Sequence, residues 1–364
     1  MASLQERSIQ IILRYQSPNG AYVACPNFEQ YRYCWLRDGS FVAYAMDLSG
    51  RPDSARRFFG WVHHVLEMQA PRVRELLETA SAGAMPRPAA MLPARYRLDG
   101  SPEESGAWPN FQLDGYGVWL WALAEHVRRT GEVSLLNHFA GSIGMVTDYL
   151  IRFWSLPNYD CWEESGDRIH TATLACIYGG LKAVNAYRRD PEIDNALTAI
   201  RQFILDGCVG NGRLVKFRGS TGIDASLLWA CAPFAVLPWD SPLMQNTVRE
   251  IEKQLLCEGG VRRYPEDTYY GGGEWLLLSS WLGWYYCKAG DPEAAAGMLR
   301  WVEAQADADG EMVEQVSRHV NQPSFVQPWV ERWGPVAKPL LWSHAMHLVL
   351  LAEISQREPV VFNR

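Results

Sequence analysis

The sequence predicts an all-α fold, an (α/α)6 barrel of six inner and six outer helices, and three observations lead there. Helical periodicity dominates the chain. Apolar helices alternate with amphipathic ones. The turns that follow the apolar helices are short, whereas the connections that lead back into them are long and rich in polar and aromatic residues.

Six segments carry few charges in their middle, as helices buried on most sides do: Arg37–Ser49, Asp114–Thr130, Thr171–Arg188, Asp224–Leu237, Glu274–Ala289 and Leu340–Ser355. Between them run amphipathic segments at Ser3–Tyr15, Pro52–Met68, Glu132–Trp154, Pro191–Asp206, Pro242–Leu256 and Pro292–Asp307. The fourth of these shows the one-sided stripe plainly, in Ile193, Ala196, Leu197, Ile200, Phe203 and Ile204. The short turns repeat a chemistry: Ser49-Gly50-Arg51-Pro52, Thr130-Gly131-Glu132, Arg189-Asp190-Pro191, Asp240-Ser241-Pro242 and Gly290-Asp291-Pro292. A glycine or a capping serine or aspartate ends one helix, and proline at the first helical position usually starts the next, which makes antiparallel pairs.

The long joints span residues 27–38, 80–114, 158–170, 211–224, 259–273 and 310–339. If the inner helices run parallel, all six joints gather at one end of the barrel, where ordered loops on a rigid scaffold place binding and chemistry. No Gly-Ser linker, low-complexity tract or charge block divides the chain, so residues 1–364 read as one domain.

Composition narrows the function classes. A chain of 364 residues with 48% hydrophobic and 21% charged residues is neither disordered nor a disulfide scaffold. Its net charge of -7 and the lack of a Lys/Arg stripe leave no footprint for nucleic acid. The longest weakly polar stretches, Ser226–Trp239 and Trp275–Tyr286, fall short of the roughly 20 residues that cross a bilayer. No membrane partner is expected, and a homo-oligomer is compatible with the sequence. The first residues, Met-Ala-Ser-Leu-Gln-Glu-Arg, place charges where an export signal has its apolar core, so a cytoplasmic location is expected, with export of a mature form left open. The eight cysteines (Cys25, Cys34, Cys161, Cys176, Cys208, Cys231, Cys257 and Cys287) form no C-x-x-C pair and read as reduced core residues. Sixteen tryptophans and sixteen tyrosines are an unusual load. About half of the indoles fit a large core; the others suit a sugar site, because pyranose rings pack flat C–H faces on aromatic rings.

The joints hold the chemistry. The first contains Tyr31-Arg32-Tyr33-Cys34-Trp35-Leu36-Arg37-Asp38, in which Asp38 could simply cap the following helix. The second ends in Trp108-Pro109-Asn110-Phe111-Gln112-Leu113-Asp114-Gly115-Tyr116-Gly117. The third has Tyr159-Asp160-Cys161-Trp162-Glu163-Glu164. Adjacent acids are usually solvated, but beside an indole and a thiol desolvation raises a carboxyl pKa and keeps it protonated. The fifth reads Arg262-Arg263-Tyr264-Pro265-Glu266-Asp267-Thr268-Tyr269-Tyr270-Gly271-Gly272-Gly273-Glu274-Trp275, and its three glycines lack the Lys-Ser or Lys-Thr of a phosphate loop. The sixth holds Gly310-Glu311-Met312-Val313-Glu314-Gln315 and, further on, Leu340-Leu341-Trp342-Ser343-His344. The third and sixth joints face each other across a six-membered ring, which sets Glu163 opposite Glu314. Two carboxylates across a cleft are the minimal equipment for glycoside hydrolysis.

These blocks, in this order, resemble the catalytic domain of the glucoamylase family, glycoside hydrolase family 15, and span Tyr31 to His344. The resemblance implies an (α/α)6 barrel and an inverting, exo-acting hydrolase that releases β-D-glucose from non-reducing ends. It implies that Glu163 is the general acid and Glu314 the ionised general base, with Glu311 as the next candidate for the base. Arg37 and Asp38 would bind the outer hydroxyls of the terminal sugar, Tyr31 and Trp35 would line that subsite, and Trp108, Trp162, Glu164, Arg263 and Tyr269 would shape the first two subsites. Asp114, Asp267 and Trp342 match further positions of the same blocks, although Asp114 and Asp267 could equally hold a helix start or pair with Arg263. Many relatives carry a β-rich domain before the barrel or a starch-binding module after it. Neither appears within this chain, which favours short soluble gluco-oligosaccharides, with α-1,4 and α-1,6 linkages both open.

Other readings are a trehalase of the same family, a phosphorylase that needs only one carboxylate, and a sugar-binding regulatory barrel that would have lost one of the acid–base pair. His63, His64, His344 and His347 show no H-E-x-x-H spacing, so no metal and no other cofactor is expected. No G-x-S-x-G elbow points to a serine hydrolase.

Overall fold

The structure, a computed structural model, describes residues 3–103 and 108–356. The chain begins with outer helix α1 (Leu4–Tyr15), started by Ser3, whose hydroxyl accepts the Glu6 N–H. Inner helix α2 (Leu36–Leu48) and outer helix α3 (Pro52–Ser81) follow, then inner helix α4 (Asp114–Thr130), the outer segments α5 (Ser134–His138) and α6 (Ala140–Phe153), inner helix α7 (Thr171–Arg188) and outer helix α8 (Pro191–Gly207). The second half continues with a 3-10 segment at Ala225–Ala230, outer helix α9 (Pro242–Leu255), inner helix α10 (Leu276–Ala289), outer helix α11 (Pro292–Glu303), a short helix α12 (Val326–Trp333) and inner helix α13 (Leu341–Ser355).

The ring closes. Helix α2 packs on α4, α4 on α7, α7 and α10 on the 3-10 segment, α10 on α13, and α13 back on α2. The chain is therefore the (α/α)6 barrel that its alternating pattern predicts. Turn chemistry acts as expected: Asp190, Ser241 and Asp291 accept N–H groups of Glu192, Met244 and Ala294 in helices that each start with proline, and Gly131 and Gly290 end helices in the left-handed conformation. Between α4 and α7 the backbones touch. A Cβ on Gly180 would lie 2.2 Å from the Gly117 carbonyl oxygen, so only glycine allows this approach.

Three predicted elements differ. Where an inner helix was expected at Asp224–Leu237, only the 3-10 segment forms, because Pro233 has no N–H to give and pushes its predecessor out of the helical region. Helix α3 runs past Met68 and through Pro71, since Val73, Leu76 and Ala80 continue its buried stripe and outweigh one missing hydrogen bond. The expected helix at Glu132–Trp154 breaks at Phe139, which turns inward and is buried.

Aromatic rings fill the barrel axis. Phe41 stacks on Trp229 and Trp342 with centroids 5.7 Å from each, and Trp229 meets Trp281 at 4.6 Å. Trp119, Trp281 and Trp284 are fully or almost fully buried as well, so a large share of the tryptophans is core. All eight cysteines are free and all but Cys257 are buried. His344 accepts the Met312 N–H and His126 pairs with Asp47 at 2.8 Å, both structural roles. Among the described residues no helix is long and apolar enough to cross a membrane.

Short antiparallel ladders brace the long joints. Strand β1 (Cys34–Trp35) pairs with β2 (Arg95–Tyr96), and β3 (Val209–Gly210) with β4 (Arg213–Leu214). A four-stranded sheet runs in the order β5 (Leu256–Cys257), β6 (Gly260–Val261), β7 (Glu274–Trp275) and β8 (Gln315–Val316). These ladders fix residues at the N-terminal ends of inner helices, which is where the site lies.

Candidate active site

At that end a cavity of about 290 Å³ opens, near the lower limit of the ~300–1,000 Å³ usual for small-molecule sites. It is lined from the first, second, third, fifth and sixth joints. Tyr31, Trp35, Arg37, Asp38, Trp108, Trp162, Glu163, Glu164, Arg263, Tyr269, Glu314 and Trp342 all reach it. Asp114, Asp267 and Glu311 do not.

The third joint presents Glu163 on a tight turn organised by a buried acid. One Asp160 carboxylate oxygen accepts the backbone N–H groups of Trp162 (3.0 Å) and Glu164 (2.9 Å), and Glu163 itself sits at a φ of 67°. A non-glycine residue held in the left-handed region stores strain, the kind of cost found at functional positions. Glu163 Oε1 accepts two N–H groups, from Trp35 at 2.6 Å and Gln112 at 3.0 Å. Gln112 is in turn fixed by Arg37, which donates to its side-chain oxygen at 2.8 Å and to Asp114 at 2.9 Å.

Arg37 is 4% exposed and also lies 3.3 Å from Asp38. Asp114, at the first turn of α4, therefore anchors Arg37 and does not line the cavity, in keeping with the helix-start reading left open for it. Asp267 pairs with Arg263, the other reading the sequence left open. It holds Arg263 from below with both carboxylate oxygens, and is itself completely buried. Burial raises the Asp38 carboxyl to about 7, with Arg37 opposing.

The sixth joint places Glu314 just before β8, its N–H bonded to the Ala337 carbonyl. The side chain is 3% exposed and its Oε2 has no hydrogen-bond partner among the described residues. Burial pushes this carboxyl up to about 8, while the Tyr31 hydroxyl, Arg263 and the Tyr269 hydroxyl act in the opposite direction. The two tyrosine hydroxyls are 2.8 Å apart. Burial therefore favours the neutral form of Glu314 relative to a solvated glutamate.

A pH dependence follows. A general base works only when deprotonated, so a raised pKa carries the acidic limb of activity upward. For a general base at Glu314, whose carboxyl burial raises to about 8, kcat/KM is expected to rise with pH up to about that value. Tyr31→Phe removes a donor to the carboxylate and should shift this limb to still higher pH in initial-rate profiles. An unmoved limb would assign it to another group.

Residues that the motifs did not single out support or extend this lining. Lys216 lies 3.2 Å from Asp224, 3.6 Å from Asp160 and 3.8 Å from Glu164, and Asp224 accepts the Trp162 indole N–H at 3.0 Å. Arg95 stacks its guanidinium 3.7 Å over Trp108 and 4.1 Å over Tyr33. Helix α12 brings Trp329, Arg332 and Trp333 to the mouth, with Trp333 stacked on Trp108. The spacing of Trp329 and Trp333, one helical turn apart inside a joint read as loop, was the available signal for α12.

Comparisons with known proteins agree with this geometry. The family model described as glycosyl hydrolases family 15 matches residues 2–351. The isomaltose glucohydrolase of Kribbella flavida is 42% identical over 98% of this chain and 94% of its own. A solved wild-type glycosidase superposes with a TM-score of 0.93 at 42% identity, covering 97% of this chain and 96% of that one. Trehalase 1 of Sulfolobus acidocaldarius is more distant, 25% identical over 74% of this chain and 48% of its own length. A barrel that lodges two carboxylates from facing joints in one aromatic pocket, and that matches the family over nearly its whole length, belongs to glycoside hydrolase family 15 and is a glycoside hydrolase.

Proposed function

We infer that the chain is an exo-acting, inverting α-glucosidase that releases β-D-glucose from the non-reducing end of short α-gluco-oligosaccharides, with an α-1,6-linked disaccharide of the isomaltose type as its preferred substrate. The observation that carries this reading is the single pocket that holds both Glu163 and Glu314. The likeness to an isomaltose glucohydrolase over almost the entire chain supports the linkage.

In this reading Glu163 is the acid. Its Oε1 takes the two donors of Trp35 and Gln112 as a carbonyl oxygen would, which leaves Oε2 to give its proton to the glycosidic oxygen as the bond to C1 breaks. Glu314 is the base. Its unpartnered Oε2 accepts a proton from water as that water attacks C1 from the opposite face, so the anomeric centre inverts. Asp38, with Arg37 holding it from behind, accepts the outer hydroxyls of the terminal glucose. Trp108, Trp162, Glu164, Arg263 and Tyr269 frame the next sugar.

The same geometry weighs against a phosphorylase, which has no use for a second catalytic carboxylate, and against a binding module that has lost one. Helix α12 narrows the mouth with Trp329 and Trp333, so only a short chain end fits inside. Glucose release should therefore be fastest from isomaltose, slower from maltose, and slowest from trehalose and dextran. A panel assay checks this order. Trehalose as the best substrate, or a rapid fall in starch viscosity with little free glucose, would overturn it.

A further inference from the structure

The sheet that supports Glu314 also gathers a second set of reactive side chains on its other side from the pocket residues. Cys257 ends β5, Glu274 opens β7 and His319 lies in the segment after β8; one donor atom from each falls within 4.8 Å of the others. Gly260 on the intervening β6 makes room for this meeting, because a Cβ there would lie 2.5 Å from the Glu274 Cβ. The His319 carbonyl is pinned by two donors from Arg262, at 3.0 and 2.6 Å. The imidazole is held on both edges: Nδ1 is 2.9 Å from Glu274 Oε1, and Nε2 is 3.4 Å from Glu258 Oε2.

Glu274 is 1% exposed, and its second oxygen, Oε2, is buried without a hydrogen-bond partner among the described residues. A buried carboxylate oxygen with no donor is costly, and here a thiol and an imidazole stand beside it. We propose that Cys257, Glu274 and His319 form a divalent-metal site suited to zinc, separate from the sugar pocket, with Glu258 orienting the imidazole. The donor set selects the metal. Thiolate and imidazole favour zinc over magnesium or calcium, which prefer oxygen ligands alone. Bonds of about 2.0–2.3 Å require the donors to close to roughly 3.5 Å apart, a matter of side-chain rotation for the half-exposed Cys257 and His319. Glu258 then supplies the carboxylate that ligating histidines commonly contact through their second nitrogen. A fourth position stays open to solvent.

Such a metal would clamp β5, β7 and the chain beyond β8. Glu314 directly precedes β8, and Trp275 of β7 lines the pocket, so the clamp stiffens the side of the site that holds the base. The sequence reading missed this cluster because its residues come from three separate segments without ligand spacing.

The test uses the full chain, stripped with chelator and titrated with zinc chloride alone. Cys257 is the cysteine that is not buried, so a thiol reagent reports on it in the native protein. The expected results are one zinc per chain, at least tenfold slower modification of Cys257, and a Tm rise of about 3 °C at a hundredfold excess over Kd. Cys257→Ser and His319→Ala should abolish the Tm rise, and Glu258→Gln should weaken zinc about 10–100-fold. Cobalt bound to the unaltered chain should show thiolate-to-metal charge-transfer absorption, a readout that survives if a variant misfolds. Unchanged Cys257 reactivity, absence of the cobalt band, or zinc stabilisation that persists in both Cys257→Ser and His319→Ala would overturn the proposal.

Discussion

Glu314→Gln should lower kcat by about 10²–10⁴-fold, the usual worth of a positioned general base, and at the same time make the protein more stable at alkaline pH. Glu163→Gln should cost activity on the same scale, since it leaves the leaving oxygen without a proton donor. The stability gain at Glu314 follows from its burial. A carboxyl whose pKa is raised from 4.5 to about 8 keeps its proton in the folded state after the unfolded chain has lost it. Across that window the folded state binds more protons, so stability falls as pH rises. Asp38, raised to about 7, contributes with the same sign. Glutamine does not titrate. The Tm of Glu314→Gln should therefore match the parent near pH 4.5 and exceed it increasingly up to pH 8. Parallel Tm curves would mean that Glu314 is solvated and ionised in the folded protein. A stabilising substitution at an active residue is the expected trade between stability and function.

Arg37→Met should destabilise the chain by about 3–5 kcal/mol, because it strips a buried cation from two carboxylates. Asp114, 1% exposed, would lose its ionic partner at 2.9 Å, and Asp38 its partner at 3.3 Å. Equilibrium urea denaturation measures the loss. Activity should fall as well, since Gln112 would no longer be fixed by Arg37 and could not hold Oε1 of Glu163. A loss below about 1 kcal/mol would show that water replaces the guanidinium at little cost and that the network is not closed.

Much of the architecture was legible because helix ends are written in local chemistry. Thr171–Arg188 and Asp114–Thr130 coincide with α7 and α4, where Gly131 and Arg189 adopt the left-handed conformation that ends a helix. The fourth inner helix was misread because its apolar run, Ala225 to Leu237, satisfies a helical pattern while Pro233 inside it does not. The pocket was legible for a related reason: long joints that lead into inner helices must share one end of a ring.

What periodicity could not show was contact between joints. Lys216 reads as an ordinary surface lysine until the fold sets Asp160, Glu164 and Asp224 around it, and Arg95 comes to support Trp108 only once β1 and β2 bring it over that ring. The upward shift of the Glu314 carboxyl was also beyond reach. Its neighbours in sequence are Val313 and Gln315, but its burial comes from the folded chain, and the Tyr31 and Tyr269 hydroxyls that oppose the shift come from other joints.

Direct attack of water on C1, from the face opposite the leaving group, is the centre of this account, and the anomer formed in the first turnovers reports on it. Proton NMR of isomaltose hydrolysis, recorded before mutarotation equilibrates the product, should show β-glucose growing from the cleaved non-reducing unit. Initial formation of α-glucose from that unit would contradict the pairing of Glu163 as acid with Glu314 as base.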